Sequence, residues 1–341
     1  MKGWFDEVVG HDRVVSLMSS ELAAPANSYL FVGPASVGKA TVARAFGAAL
    51  LCAASDPTCN GCRRAMAGNH SDLIPVVPDG SASLGVDQAR GVVAQAALSP
   101  MEGTRKVFLF EDAGAMTDQA ANALLKTLEE PTATTVFILV AESEDDLPPT
   151  VASRCRTIHF GRVAEAQLVE YLRAAGLSEA DAEGLSRVAG GRPGLALSLA
   201  RHPQVAGFRR LWLSIPGRVT PRPGDAQRLA EEVLEALAPM VSEAAGDHDD
   251  ADRKKRAERR AELALLTSGL EILASWYTDS ASLQFAGPIR NTDVPLVELT
   301  DVTPARAVAA ADTVLDAVVD LHLNLRRQLL LANLFATRGA Y

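Results

Sequence analysis

No run of apolar residues in this chain approaches 18 positions, so no stretch is long enough to span a bilayer as a helix. The opening MKGWFDEVVG carries Asp and Glu within its first seven residues, so no signal peptide is expected there. Positive charge is in deficit: 33 Lys and Arg stand against 42 Asp and Glu, a formal net charge of -9. A protein gripping duplex DNA over a broad face needs an excess of cations to replace phosphate counterions. Any nucleic-acid contact must therefore be local or supplied by partners. Only four cysteines occur, three of them clustered, which suits a reducing cytoplasm better than a disulfide framework. Strongly polar runs are short and no internal repeat occurs, which excludes wholesale disorder and repeat architectures.

The 341 residues are 48% hydrophobic and only 5% aromatic. That is the composition of an Ala- and Leu-rich globular protein leaning towards helix, and the length predicts two or three domains. Apolar strands are expected at Tyr29–Val32, Lys106–Phe110 and Thr135–Ala141. The first two are followed by helices over Thr41–Cys52 and Thr117–Glu129. Short apolar runs alternating with helices predict a parallel α/β sheet filling roughly residues 1–160. Three short helices follow, over Ala164–Ala175, Ser178–Val188 and Pro193–Arg201. Longer amphipathic ones are expected at Asp225–Val241, Asp252–Tyr277 and Pro304–Phe335, with Trp212 and Trp276 as packing residues. Glu243–Asp252 is the best candidate for a flexible loop. The basic run Arg253-Lys254-Lys255-Arg256, with Arg259 and Arg260, is balanced by nearby Asp residues and Glu258; a solvated helix face outweighs a nucleic-acid contact.

Gly33-Pro34-Ala35-Ser36-Val37-Gly38-Lys39 matches Gly-x-x-x-x-Gly-Lys between a strand and a helix. Its glycines let backbone N–H groups wrap a phosphate, the helix N-terminus adds positive potential, and Lys39 reaches the outer phosphates of ATP. The next position should carry the hydroxyl that holds Mg²⁺, but it is Ala40. The hydroxyl comes one residue late, at Thr41, about 100° further around the helix. The second strand ends in Glu111-Asp112, where an active ATPase of this kind has Asp then Glu. Together with Ala40, this reversal predicts weak or absent hydrolysis. The alternative is that Glu111 and Asp112 cap the following turn.

Several segments together carry a family resemblance. Phe5–Asp12 is similar to the opening of AAA+ clamp-loader subunits. Ala121-Asn122-Ala123-Leu124-Leu125-Lys126-Thr127-Leu128-Glu129-Glu130-Pro131 resembles their most recognisable stretch, and Leu147-Pro148 with Ser153-Arg154-Cys155 resembles their Ser-Arg-Cys motif. Residues 5–160 carry these matches; the C-terminal third resembles the family only in helical pattern. Motor subunits of the family keep an intact Mg²⁺ site and a lid arginine in a Gly-Ser-x-Arg pattern. Here Gly191-Arg192-Pro193-Gly194 puts Gly at that position, with Arg192 out of register. Gly68–Leu73 and Gly85-Val86-Asp87 resemble the non-motor, delta-prime type.

The resemblance implies an α/β P-loop AAA+ core over residues 1–162, a helical lid over 163–202 and an all-α collar over 203–341. It implies that Arg154 acts in trans, as an arginine finger in a neighbour's ATP site. Implied partners are the motor (tau/gamma-type) and delta-type subunits of a hetero-pentamer, which loads a sliding clamp on primed DNA in the cytoplasm. An active ATP-hydrolysing motor subunit or stand-alone DNA-dependent AAA+ ATPase, or a scaffold that binds no nucleotide, stands as the alternative. Related subunits also carry four cysteines that bind a structural zinc. Cys52, Cys59 and Cys62, in an insertion at 52–70, match three of them, with Asp56 or His70 as the remaining ligand. Cys155 belongs to the Ser-Arg-Cys motif and is expected to pack rather than ligate.

Overall fold

The computed structural model describes residues 3–78, 83–200, 205–220, 222, 224–246, 251–291, 294–321 and 326–339; of residues 252, 253, 256, 338 and 339 only the backbone is described. Two compact units emerge: residues 1–171 with 191–194, and residues 172–190 with 195–341.

The first unit opens with α1 (Asp12–Glu21), β1 (Ser28–Val32), α2 (Lys39–Leu51), α3 (Asn60–Met66), β2 (Leu73–Val76) and α4 (Val86–Ala96). It continues with β3 (Lys106–Phe110), α5 (Asp118–Glu129), β4 (Thr135–Ala141), α6 (Pro149–Ala152) and β5 (Arg156–His159). The five strands form one sheet in the order β2-β3-β4-β1-β5, and every pairing is parallel. The register sets Ser28 against Phe137 and Lys106 against Thr135. The central strands are continuous apolar runs because both of their faces are covered. Alternate side chains supply two cores. Tyr29, Phe31, Val107, Leu109 and Ile138 pack with Val42, Ala43 and Phe46 of α2. Leu30, Phe108, Phe110, Phe137 and Leu139 pack with Val92 of α4 and with Ala121, Leu124 and Leu128 of α5. Burying each such large side chain contributes about 1.5–3 kcal/mol, so a register slip in β1 or β4 would forfeit both cores at once.

Strand order is what assembles the site. β3, β4 and β1 are neighbours, so the residues just after each of them converge at one end of the sheet, where parallel α/β sheets place ligands. Those residues are Glu111-Asp112 after β3, Glu142 after β4 and the Gly33–Lys39 loop after β1.

α7 (Glu165–Ala174) begins within the first unit, and α8 (Glu179–Ala189) and α9 (Pro193–Leu199) follow it. In the second unit come α10 (Val205–Arg218), α11 (Asp225–Ala245), α12 (Ala251–Gln284), α13 (Leu296–Leu299), α14 (Pro304–Asp320) and α15 (Arg327–Gly339). α12 packs against α8, α10, α11, α13 and α14, while α15 packs on α11 and α14. Trp212 and Trp276 are buried in this unit, as expected of packing residues. A buried polar cluster also joins α10 to α12. Arg209 donates to Asn291 Oδ1 at 2.7 Å, and the Asn291 side chain donates to Ser275 at 2.9 Å and Asp279 at 2.8 Å.

Three sequence expectations change. Pro304–Phe335 is two elements rather than one helix, with residues 322–325 outside the described residues. The helices expected at Asp225–Val241 and Asp252–Tyr277 run on to Ala245 and Gln284, because tertiary packing carries a helix past where its periodicity fades. Most of the loop expected at Glu243–Asp252 (247–250) lies outside the described residues, and so do the side chains of Arg253 and Arg256. Lys254, Lys255, Arg259 and Arg260 are exposed on α12. Among the described residues no helix is long and apolar enough to cross a membrane.

Candidate functional site

The loop between β1 and α2 is held by three backbone ties. Gly33 N–H donates to Glu142 O at 3.1 Å, Phe160 N–H to Val32 O at 2.7 Å, and Gly194 N–H to Ser36 O at 2.9 Å. Gly33 has φ +148°, and a Cβ there would lie 2.2 Å from Phe160 O, so no other residue fits. At the base of the loop the His11 ring contacts Val37 O at 2.9 Å and packs edge-on against Phe160.

Lys39, the first residue of α2, is buried. Its Nζ turns back to donate to Gly33 O at 2.5 Å and Pro34 O at 2.7 Å. Burial pushes its pKa down to about 8, and the carboxylates of Glu142 and Asp146 oppose that shift. Lys39 therefore remains mostly charged at pH 7, with acidic side chains as its electrostatic neighbours. A polyphosphate entering the loop would have to draw Lys39 off its two carbonyls and sit near Glu142.

Around the residues expected on the metal side, one further residue takes part. Ala40 offers no ligand atom. Thr41 is exposed on α2. Glu111, at the end of β3, is held by the Arg44 guanidinium in an ion pair. Arg44 lies four residues after Ala40, on the same side of α2 one turn further on. The acid at the end of β3 thus has a protein cation as its partner. Asp112 stands at the start of the following turn, its carbonyl accepting from Ala115 N–H at 3.2 Å. Arg192, the nearest cation to the lid position, is buried at 2% exposure.

Arg154 follows α6, at the opposite end of β5 from Phe160. Its Nε donates to Glu129 Oε1 at 2.7 Å, its NH2 also bonds that oxygen, and NH1 donates to Thr150 O at 2.6 Å. Its side chain is 33% exposed. Cys155 packs against the α5-side core, and burial pushes its thiol up to about 12, so it behaves as a packing residue.

The three remaining thiols gather between the end of α2 and the start of α3. Cys52, Cys59 and Cys62 have Sγ atoms within 4.8 Å of one another, with Cys52 and Cys59 3.8 Å apart. Four thiolates around zinc, each at about 2.3 Å, lie about 3.8 Å from one another, so the spacing fits a tetrahedral ion. Cys59 caps α3 by accepting from Cys62 N–H at 3.3 Å, and this bond holds its thiol below the usual range. Burial pushes the Cys62 thiol up to about 12 against the Trp4 indole N–H, which donates to it at 3.5 Å. The two candidates for a fourth ligand lie outside this group. The Asp56 carboxylate accepts from the backbone and hydroxyl of Thr58 at 2.8 and 2.7 Å, leaving its backbone oxygen nearest Cys52 Sγ, at 3.5 Å. His70 is buried, and its Nδ1 accepts from Asp72 N–H at 3.1 Å.

Sequence reasoning missed Arg44, Glu142 and Glu129 as participants. Glu142 had a signal, as the first polar residue after a fully buried strand beside the loop. Arg44 had only its four-residue spacing from Ala40.

The first unit thus has the α/β fold of P-loop proteins, with Ala40 after the loop lysine and the Arg44–Glu111 ion pair beside it. The family model described as DNA polymerase III, delta subunit, matches residues 10–164. Residues 10–164, less than half of the chain, are thus similar to subunits of DNA polymerase III. A Pseudomonas aeruginosa protein named DNA polymerase III subunit delta' is 40% identical over 139 residues, covering 39% of this chain and 42% of that protein. The Bacillus subtilis subunit tau is 33% identical over 172 residues, 48% of this chain and 30% of that protein. The chain thus spans less than half the length of these curated relatives. A solved gamma subunit-related protein from Thermotoga maritima aligns over 96% of this chain and 99% of its own, at 18% identity and a TM-score of 0.47.

Proposed function

We propose that this chain is a non-motor, delta-prime-type subunit of a cytoplasmic clamp loader, working beside motor and delta-type subunits to place a sliding clamp on primed DNA. The observation that carries this reading is the altered metal side of the P-loop. Ala40 removes the Mg²⁺ hydroxyl and Arg44 neutralises Glu111, while Lys39 and the phosphate-wrapping glycines are kept. Such a site suits nucleotide binding without turnover, or a structural role. Catalysis then passes to the neighbour's site, where Arg154 stabilises charge developing on the transferring phosphoryl group. In this reading residues 163–202 form the lid and 203–341 a collar. Exposed Val308, Leu315 and Val319 along α14, with Leu329 on α15, supply apolar surface for collar packing.

Purified chain alone is expected to hydrolyse no Mg-ATP above background, measured by phosphate release. Steady turnover that disappears in Lys39→Ala would make it a motor subunit, the reading favoured by the intact Gly33–Lys39 loop and the tau-type similarity.

The thiol cluster is proposed to hold one structural zinc through Cys52, Cys59 and Cys62. The ion would tie the end of α2 to α3, with the fourth position filled from outside the three thiols. Metal analysis is expected to find about one zinc per chain, lost in Cys59→Ser along with several degrees of melting temperature. A zinc-free wild-type chain, expressed with zinc supplied, would refute this.

A further inference from the structure

We infer that Glu129 is the positioning residue for Arg154, holding the guanidinium by its side edge so that its outer edge faces a neighbour. This rests on the reading of Arg154 as a group acting in trans. An arginine has five N–H donors in a fixed planar fork. Here Glu129 Oε1 sits in the notch between Nε and NH2, and Thr150 O takes a hydrogen of NH1. Ser153 Oγ, at 3.5 Å from NH1, is at the limit of a bond. With Nε and one N–H of NH2 on Glu129, and NH1 turned to Thr150 O and Ser153 Oγ, the second N–H of NH2 is left to reach outward. A guanidinium N–H presented in this way matches a phosphate oxygen.

Both ends of the side chain are anchored to rigid elements. The Arg154 backbone N–H donates to Val151 O at 3.0 Å, which fixes its Cα to the end of α6. Glu129 is the last residue of α5, a helix capped by Thr117 and pinned to the core through Ala120, Ala121, Leu124 and Leu128. Exposure of 33% for Arg154 and 46% for Glu129 leaves the pair open to an approaching surface. An exposed pair of this kind adds little to folding. Its consequence is orientational: an unrestrained arginine would lose rotamer freedom on reaching a neighbouring site, and a misplaced charge stabilises the transition state poorly.

The test reconstitutes the complete clamp loader with wild-type chain, Glu129→Ala, Glu129→Gln or Arg154→Ala, and measures ATP hydrolysis on primed DNA. Glu129→Ala is expected to lower kcat roughly tenfold while KM for ATP and complex assembly stay unchanged. Glu129→Gln, which keeps an oxygen in the notch, is expected to restore most of that rate. Wild-type kcat in Glu129→Ala, with Arg154→Ala still defective, would overturn the inference and leave the trans-acting reading standing. A rise in rate for both Glu129 variants would also overturn it, making Glu129 a brake on the finger's charge. No defect in Arg154→Ala would remove the reading itself, and the inference with it.

Discussion

Arg154→Ala is expected to cut ATP hydrolysis by the assembled motor subunits on primed DNA by about 10³-fold, while the chain's own melting temperature moves by no more than a degree or two. The magnitude follows from what a cation supplied in trans does to phosphoryl transfer, on the order of 10³ to 10⁵ in the best-studied cases. A 10³-fold loss is about 4 kcal/mol of transition-state stabilisation. The local cost is far smaller. The Arg154–Glu129 pair is solvent-exposed, and pairs of that kind contribute about 0–1 kcal/mol to folding. A large catalytic effect with little loss of stability therefore separates a trans-acting group from a structural one. The measurements are phosphate release by the complex and thermal unfolding of the isolated chain. Equal rates for wild type and variant would sink the trans role, and a rate that fell only in step with melting temperature would indicate a structural one.

Gly269→Ala is expected to destabilise the helical unit by about 2 kcal/mol or more. Gly269 lies within α12 and directly faces Trp212 of α10. A Cβ there would stand 2.0 Å from Trp212 Cε2 and 2.3 Å from Cζ2. Two effects oppose each other. Alanine in a helix interior is favoured over glycine by about 1 kcal/mol, which alone would stabilise α12. Against this, Trp212 is fully buried, so the ring can yield only by displacing close-packed neighbours or prying α10 away, and overpacking of this kind costs about 1–3 kcal/mol and occasionally more. The overlap here is a rigid indole rather than a flexible chain end, so the steric cost wins. The expected readout is a drop in melting temperature of roughly 5–8 °C, followed by circular dichroism of the full chain. An unchanged or raised melting temperature would mean that α10 and α12 do not meet through this glycine.

The fold of the N-terminal domain was largely legible in the chain itself. Lys106–Phe110 and Thr135–Ala141 are observed with the bounds their apolar runs predict, and Ser28–Val32 begins one residue early. β2 and β5 escaped notice because each has only four residues and mixes exposed with buried positions without regular alternation. Such short mixed runs have no periodicity to set them apart from loops. In the helical unit, helix ends drifted for the complementary reason: packing partners, not local residues, decide where those helices stop.

By itself the sequence determined the Gly33–Lys39 loop between strand and helix, Ala40 after it, the place of Glu111-Asp112 at a strand end, and the central strands. Each depends on neighbours within a few residues, where backbone geometry and hydrophobic period act directly. Only the tertiary structure decided that Arg44 neutralises Glu111, 67 residues away, and that Glu129 holds Arg154 across 25. It also set Lys39 in the field of Glu142 and brought Cys52 to Cys59 and Cys62 while Asp56 turned to Thr58. Which charges meet depends on strand order and helix packing, and Coulomb and hydrogen-bond energies depend on distance in space, for which separation along the chain is no guide.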